Sequence, residues 1–179
     1  RVNPIPDNPE TTDLTFCLND TASNLSVDNP DSDYEYSWYS YDSSADEFTY
    51  IGDNYTPSTS SPGTTTYYVT QKLVETGCES GMEPLVVTVL DKPEPVATET
   101  IQLDYCFEEV VETAISLTPA ENASIHWYAA DGETEISAPT PNTSSAELTI
   151  YYVSQIFDTG CESDLTKVEV NVKSLPDLS

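Results

Sequence analysis

The same set of residues occurs twice in this chain, in the same order. Cys17, Trp38, Tyr67-Tyr68-Val69 and Gly77-Cys78-Glu79-Ser80 recur as Cys106, Trp127, Tyr151-Tyr152-Val153 and Gly160-Cys161-Glu162-Ser163. Cys to Trp spans 21 residues in both copies, and the copies are offset by 89 residues at Trp and 83 at the second Cys. A solenoid unit is roughly 20–50 residues long, so this period is a whole small domain used in tandem. The 179 residues therefore read as two domains, 1–92 and 93–179, each of a size that suits a small β-sandwich.

The residue pattern within each copy is β throughout. Val168, Val170 and Val172 alternate with Glu169, Asn171 and Lys173. A period of two puts one set on a buried face and the other in water. Shifted by 83 residues, the pattern lands on Leu85, Val87 and Val89, which predicts the matching last strand of copy one. Thr64 to Gln71 and Leu148 to Gln155 are rich in β-branched and aromatic residues and predict another long strand. Trp38 and Trp127 fall on a middle strand and are the predicted core residues. Short strands separated by Pro, Asp and Gly, with no strong helix signal, predict an all-β fold of two tandem sandwiches.

Each copy holds two of the four cysteines. Four cysteines allow three pairings. Only Cys17–Cys78 with Cys106–Cys161 keeps the copies equivalent and each domain self-contained, so one disulfide inside each domain is expected. Each bond would close a loop of about 60 residues and contribute on the order of 4 kcal/mol by restricting the unfolded chain. Four reduced thiols in a cytosolic protein is the competing reading. Paired spacing in a small-domain chain favours the oxidised, extracellular one.

Asp and Glu number 32 against five Lys and Arg, for a net charge of −27. Such a field repels a nucleic-acid backbone and an anionic bilayer alike. It keeps the chain soluble and points to a monomer with no nucleic-acid partner. No 18-residue apolar run is present, so no membrane insertion is expected. Proline segments at Pro4-Ile5-Pro6, Pro93-Glu94-Pro95 and Leu175-Pro176-Asp177 bracket the copies and read as extended connectors to further modules.

Thr64 to Gln71 followed by Gly77-Cys78-Glu79-Ser80, and Tyr151 to Gln155 followed by Gly160-Cys161-Glu162-Ser163, resemble the bacterial immunoglobulin-like repeats of Bacteroidota surface proteins. The pairs Trp38-Tyr39 and Trp127-Tyr128 fit that signature too. The resemblance implies non-catalytic modules of a large adhesin such as those of gliding bacteria, on the outer surface of a Gram-negative cell and exported by the type IX system. It also implies further Ig-like modules of the same chain as neighbours. The chain departs from the antibody pattern in that Cys78 and Cys161 follow the Tyr pair by about ten residues, in a hairpin. The disulfide is therefore expected to tie the first strand to that hairpin near one end of the domain. Glycine is scarce from Asp42 to Glu47, which leaves the turn there without its usual residue.

Candidate sites are few. Asp28, Asp31, Asp33 and Glu35 form the densest acidic cluster and could offer oxygens to Ca²⁺, although the glycine of a calcium loop is missing. No other cofactor is expected. His126 is the single histidine and has no nucleophile motif beside it, so no catalytic residue is assigned. Tyr39 and Tyr41 should lie on the face opposite Trp38, where they could stack on sugar rings. Cross-strand aromatic packing is the alternative. Asp20-Thr21-Ala22 resembles the O-glycosylation motif of Bacteroidota, which makes Thr21 a candidate glycan site. Two functions are thereby expected to compete: a spacer and adhesive module of a surface adhesin, and a carbohydrate-binding accessory of a secreted polysaccharide-degrading enzyme whose partner would be a surface polysaccharide or other glycan.

Overall fold

The computed structural model describes residues 3–174, and the chain divides into two compact units, Arg1–Asp91 and Lys92–Ser179. The third proline segment, Leu175-Pro176-Asp177, lies outside the described residues. The first unit contains β1 (Leu14–Cys17), β2 (Tyr34–Asp42), β3 (Glu47–Gly52), β4 (Gly63–Leu73) and β5 (Glu83–Leu90). The second contains β6 (Ile101–Cys106), β7 (Ala123–Tyr128), β8 (Glu135–Ile136), β9 (Leu148–Phe157) and β10 (Thr166–Lys173). Each unit holds one five-stranded sheet, ordered β1-β5-β4-β2-β3 and β6-β10-β9-β7-β8. The described residues contain no helix.

The predicted strands are found, and the alternation sets which residues they bury. Leu85, Val87 and Val89 of β5 point inward, as do Val168, Val170 and Val172 of β10. Trp38 is 1% exposed and Trp127 4%, each at the middle of its core. What covers the sheet is not a second regular sheet. Leu25 and Val27 are buried from an extended segment that pairs irregularly: Leu25 N–H donates to Tyr55 C=O and Asp28 N–H to Glu10 C=O. In the second unit Ile115 and Leu117 pack on the core the same way, with Ile115 N–H donating to Pro139 C=O. Backbone groups are thus satisfied by single bonds where a ladder is missing.

The first and last strands of each unit are neighbours and run parallel. Leu14 to Cys17 lie beside Val87 to Leu90, and Ile101 to Cys106 beside Val168 to Lys173. All other pairings are antiparallel.

This topology corrects the expected disulfides. Cys17 sits level with Leu90, at the far end of β5. Cys78 sits in the hairpin before β5, where its C=O accepts the Leu73 N–H. Because β4 runs from Gly63 beside Val89 to Leu73, the two cysteines are a strand apart, about 30 Å at ~3.3 Å per residue. Cys106 is level with Lys173, and Cys161 accepts from the Phe157 N–H at the other end of β9. A cystine needs its Cα atoms within about 7 Å, so neither Cys17–Cys78 nor Cys106–Cys161 can close in the folded unit. Cys78 and Cys106 carry free thiols. The first strand lies alongside the last in parallel, and its end is therefore carried away from the hairpin rather than toward it.

Candidate functional site

Three features recur or differ between the units: the hairpin end, the opposite end and the outer sheet face. At the hairpin end the repeated Gly-Cys-Glu-Ser has a job for each polar residue. Ser80 Oγ accepts the Gln71 N–H at 3.0 Å, and Ser163 Oγ accepts that of Gln155 at 3.0 Å. The Gln71 amide then donates to Asp7 C=O at 2.7 Å, and the Gln155 amide to Glu94 C=O at 2.8 Å. The incoming chain is thereby strapped to the hairpin of its own unit. Glu79 accepts from Thr70 Oγ1 at 2.6 Å, and Glu162 from both Ser154 Oγ and the Tyr128 hydroxyl. Thr70 and Ser154 are buried, so the carboxylate satisfies a hydroxyl that would otherwise be stranded. Burial and then the bond to Glu162 raise the Tyr128 pKa above that of an ordinary phenol.

The opposite end carries a repeated turn. Leu18 N–H donates to Leu90 C=O, and Phe107 N–H to Lys173 C=O. Asn19 and Glu108 both hold φ near +60° (64° and 59°), a left-handed position that lets the chain reverse after the cysteine. The hydroxyls of Thr59 and Thr143 close the turn on Asp20 C=O and Glu109 C=O. Asp20 and Glu109 carboxylates accept the Cys17 and Cys106 N–H groups. Thr21 follows this turn and is exposed.

The outer face is where the units part. β2 and β3 form a hairpin whose strands pair from Tyr39–Tyr50 to Asp42–Glu47. Tyr39 packs edge-on to Tyr50 at 5.7 Å between ring centroids, Tyr41 against Phe48 at 4.8 Å, and Phe48 edge-on to Tyr68 at 5.0 Å. Tyr41, Phe48 and Tyr50 remain exposed. The Tyr41 and Tyr50 hydroxyls donate to Asp46 at 2.6 Å and Asp53 at 2.8 Å. These bonds are the leading reason both phenols titrate above their ordinary value. Tyr39 and Tyr41 do lie away from Trp38, and they are engaged in the cross-strand packing weighed above. The turn without glycine is made by Asp42, whose Oδ1 accepts the N–H groups of Ser44 and Ala45, and by Asp46 at φ 54°. In the second unit β8 is two residues long and carries no aromatic.

The other candidates are dispersed. Asp28 accepts from Thr12 Oγ1 and Asp31 from the Asp33 N–H, while Glu35 pairs with Lys72 at 3.8 Å. Among the described residues no three Asp, Glu, His or Cys side chains gather as a metal group. His126 is more engaged than its isolation in the sequence suggested. Its Nδ1 lies 2.7 Å from Glu135 and its Nε2 2.9 Å from Ser124 Oγ. The ring thus bridges a hydroxyl of its own strand, β7, and a carboxylate of the neighbouring β8. Ser124 two residues away on the same strand face was the sequence signal for that pair.

These units define a tandem immunoglobulin-like protein. The family described as "Ig-like domain CHU_C associated" matches residues 6–90 and again 93–173, and the chain belongs to it. It is a module family and indicates no enzymatic activity. Among solved structures, the fibronectin(III)-like modules of Clostridium thermocellum CbhA are 13% identical, with 94% of this chain and 95% of that one covered and a TM-score of 0.41. The chicken CNTN1 FN1–FN3 domains are 13% identical over 95% of this chain and 68% of that one, at a TM-score of 0.46. Bacteroides ovatus SGBP-B, solved with a mixed-linkage heptasaccharide, is 13% identical over 92% and 46%, at 0.30. No curated protein matches the chain.

Proposed function

We propose that this chain is a load-bearing spacer segment of a large surface or secreted adhesin that serves gliding motility and attachment, with the aromatic hairpin of the first unit as its adhesive face. The observation that carries the reading is the parallel pairing of first and last strands. The chain comes in at the hairpin end, where Gln71 holds Asp7 and Gln155 holds Glu94, and goes out at the opposite end after β5 and β10. Tension between a unit's two ends therefore pulls β1 and β5, or β6 and β10, past one another. All ladder bonds of the pair are then loaded together rather than opened one by one, which is the strong direction of a strand pair. A module that passes force along its chain needs that geometry; a ligand-binding accessory does not.

Single-molecule pulling tests this. The β6–β10 pair runs over six residue pairs and β1–β5 over four. Two separate unfolding events are expected, the lower-force one from the first unit. Yielding of both units at forces no higher than an unzipped hairpin would remove the reading.

A glycan-binding accessory is the second reading, and the aromatic hairpin is where it is tested. Affinity electrophoresis in a polysaccharide gel should then retard the chain, and Tyr39→Ala with Tyr41→Ala should abolish the retardation. Equal mobility with and without polysaccharide sinks that reading alone.

A further inference from the structure

β3 is an edge strand, hydrogen-bonded to β2 alone. Along an edge, alternate residues turn their N–H and C=O groups away from the sheet. Among the described residues, no backbone bond reaches β3 from that side. Its first four residues, Glu47 to Tyr50, are all exposed, so neither face of the strand is covered there. The other edge strands differ: β8 has two residues, and in β1 and β6 no two neighbouring residues are exposed. Proteins commonly guard an open edge with a charge or a proline. Phe48-Thr49-Tyr50-Ile51 carries neither. The face beside this edge has a definite chemistry. Phe48 and Tyr50 stand with their cross-strand partners Tyr41 and Tyr39, and Tyr68 follows on β4. Tyr41, Phe48 and Tyr50 are 39%, 41% and 54% exposed, which leaves ring surface for a partner. Asp46 and Asp53 accept the Tyr41 and Tyr50 hydroxyls through Oδ1, so each keeps its other oxygen for a second donor beside an aromatic ring. From Tyr34 to Asp53 the chain has five carboxylates and no Lys, Arg or His. A ring with a carboxylate at its rim suits a guanidinium or ammonium group, which gains from the ring quadrupole and the ion pair together. The same charge disfavours a second copy as the occupant, since two chains of −27 repel one another.

We propose that β3 is a docking edge, and that its occupant is an extended, Arg- or Lys-bearing segment of a partner protein, added as a further strand of the first unit's sheet. The segment's backbone pairs with the open edge of β3. Its alternate side chains lie over Phe48 and Tyr50, with their cations toward Asp46 and Asp53. This deepens the reading of the aromatic hairpin as the adhesive face and rests on it. The load-bearing part of that reading stands or falls apart from it, because pulling reports the β1–β5 and β6–β10 pairs and peptide binding reports β3.

The test is titration of the full chain with a peptide of alternating Arg and Thr, at physiological ionic strength, where loose attraction to the overall charge is screened. Saturable binding is expected, with amide hydrogen exchange slowed in Glu47–Gly52. The same peptide N-methylated throughout keeps its charge but cannot donate to an edge, and it should not bind. A peptide of alternating Glu and Thr should not bind either. Phe48→Ala with Tyr50→Ala should weaken binding about tenfold. Asp46→Asn with Asp53→Asn keeps every ring in place and should weaken it similarly, which covers the case in which the alanine variant fails to fold. No binding, equal binding of the N-methylated peptide, or slowed exchange only outside β3 would overturn the proposal. Retardation in the polysaccharide gel without peptide binding would overturn it in favour of a glycan on the same face.

Discussion

The two units share their interior and their ends but not their outer face. Trp38 and Trp127, the inward valines, the Glu-to-hydroxyl bond of the hairpin and the turn after the first cysteine are duplicated nearly bond for bond. The middle hairpin is not. In the first unit Trp38 and its partner Gly52 enclose a long aromatic hairpin, and in the second Trp127 pairs with Ile136 across a tight one. What is repeated is therefore what a module needs to fold. What varies sits where a partner could reach it without disturbing that task.

The strongest way to break that division is in the core. Trp38→Ala should cost its unit about 3–5 kcal/mol, and Trp127→Ala the same in the other. A domain is stable by only about 5–15 kcal/mol, so one unit should melt early while the other keeps its transition. Each unit has a single tryptophan, and the remaining one reports the intact unit by its fluorescence in a denaturant titration. Loss of both transitions together would show that the units do not fold separately.

A smaller effect sharpens the comparison at the hairpin. Glu162→Ala removes the acceptor for two hydroxyls and Glu79→Ala effectively for one, since Tyr39 approaches Glu79 only to 3.5 Å. Stranding buried Ser154 or Thr70 should cost about 1–3 kcal/mol, and the lost Tyr128 bond makes the Glu162 change the larger of the two. Thermal melts of both variants check the order.

On the outer face, Phe48→Ala should cost about 0.5–1.5 kcal/mol, since it loses ring contacts with Tyr41 and Tyr68 but no core volume. A loss as large as that of Trp38→Ala would make the aromatic hairpin part of the fold rather than a face free to bind.

The smallest expected effect separates the turns. In the tight hairpin Asp131 is held to about 2 by the Thr134 hydroxyl, then by the N–H groups of Thr134 and Glu133, against an ordinary 3.8. A depressed carboxylate contributes stability that is present above pH 3.8 and is lost as pH falls toward 2. Asp131→Ala should flatten the acid limb of the second unit's melt in that window and leave the first unit's unchanged. NMR titration of the Asp131 carboxyl carbon with a midpoint near 4 would contradict it.

Much of this was legible in the sequence. The repeat fixed the modules, the alternation of Val168, Val170 and Val172 fixed the last strand, and Trp38 and Trp127 fell in the core as read. The cysteines misled because spacing along a chain carries no direction. Two sulfurs about 60 residues apart can meet if the first strand turns back toward the hairpin, and here it runs alongside β5 away from it. A short first strand such as Leu14–Cys17 declares neither its partner nor its sense. The partners of Glu79 and Glu162 were hidden for the same reason, because a hydrogen bond across a hairpin depends on register. His126 seemed alone because Ser124 and Glu135 come together only through the strand and its neighbour.

The account turns on the two cysteines of a module standing at opposite ends of it. Spin labels on Cys17 and Cys78 in the full chain, with Cys106→Ser and Cys161→Ser, measure that separation by double electron–electron resonance. A narrow distribution centred about 30 Å, one strand length, is the result predicted; a distance short enough for a disulfide would contradict it.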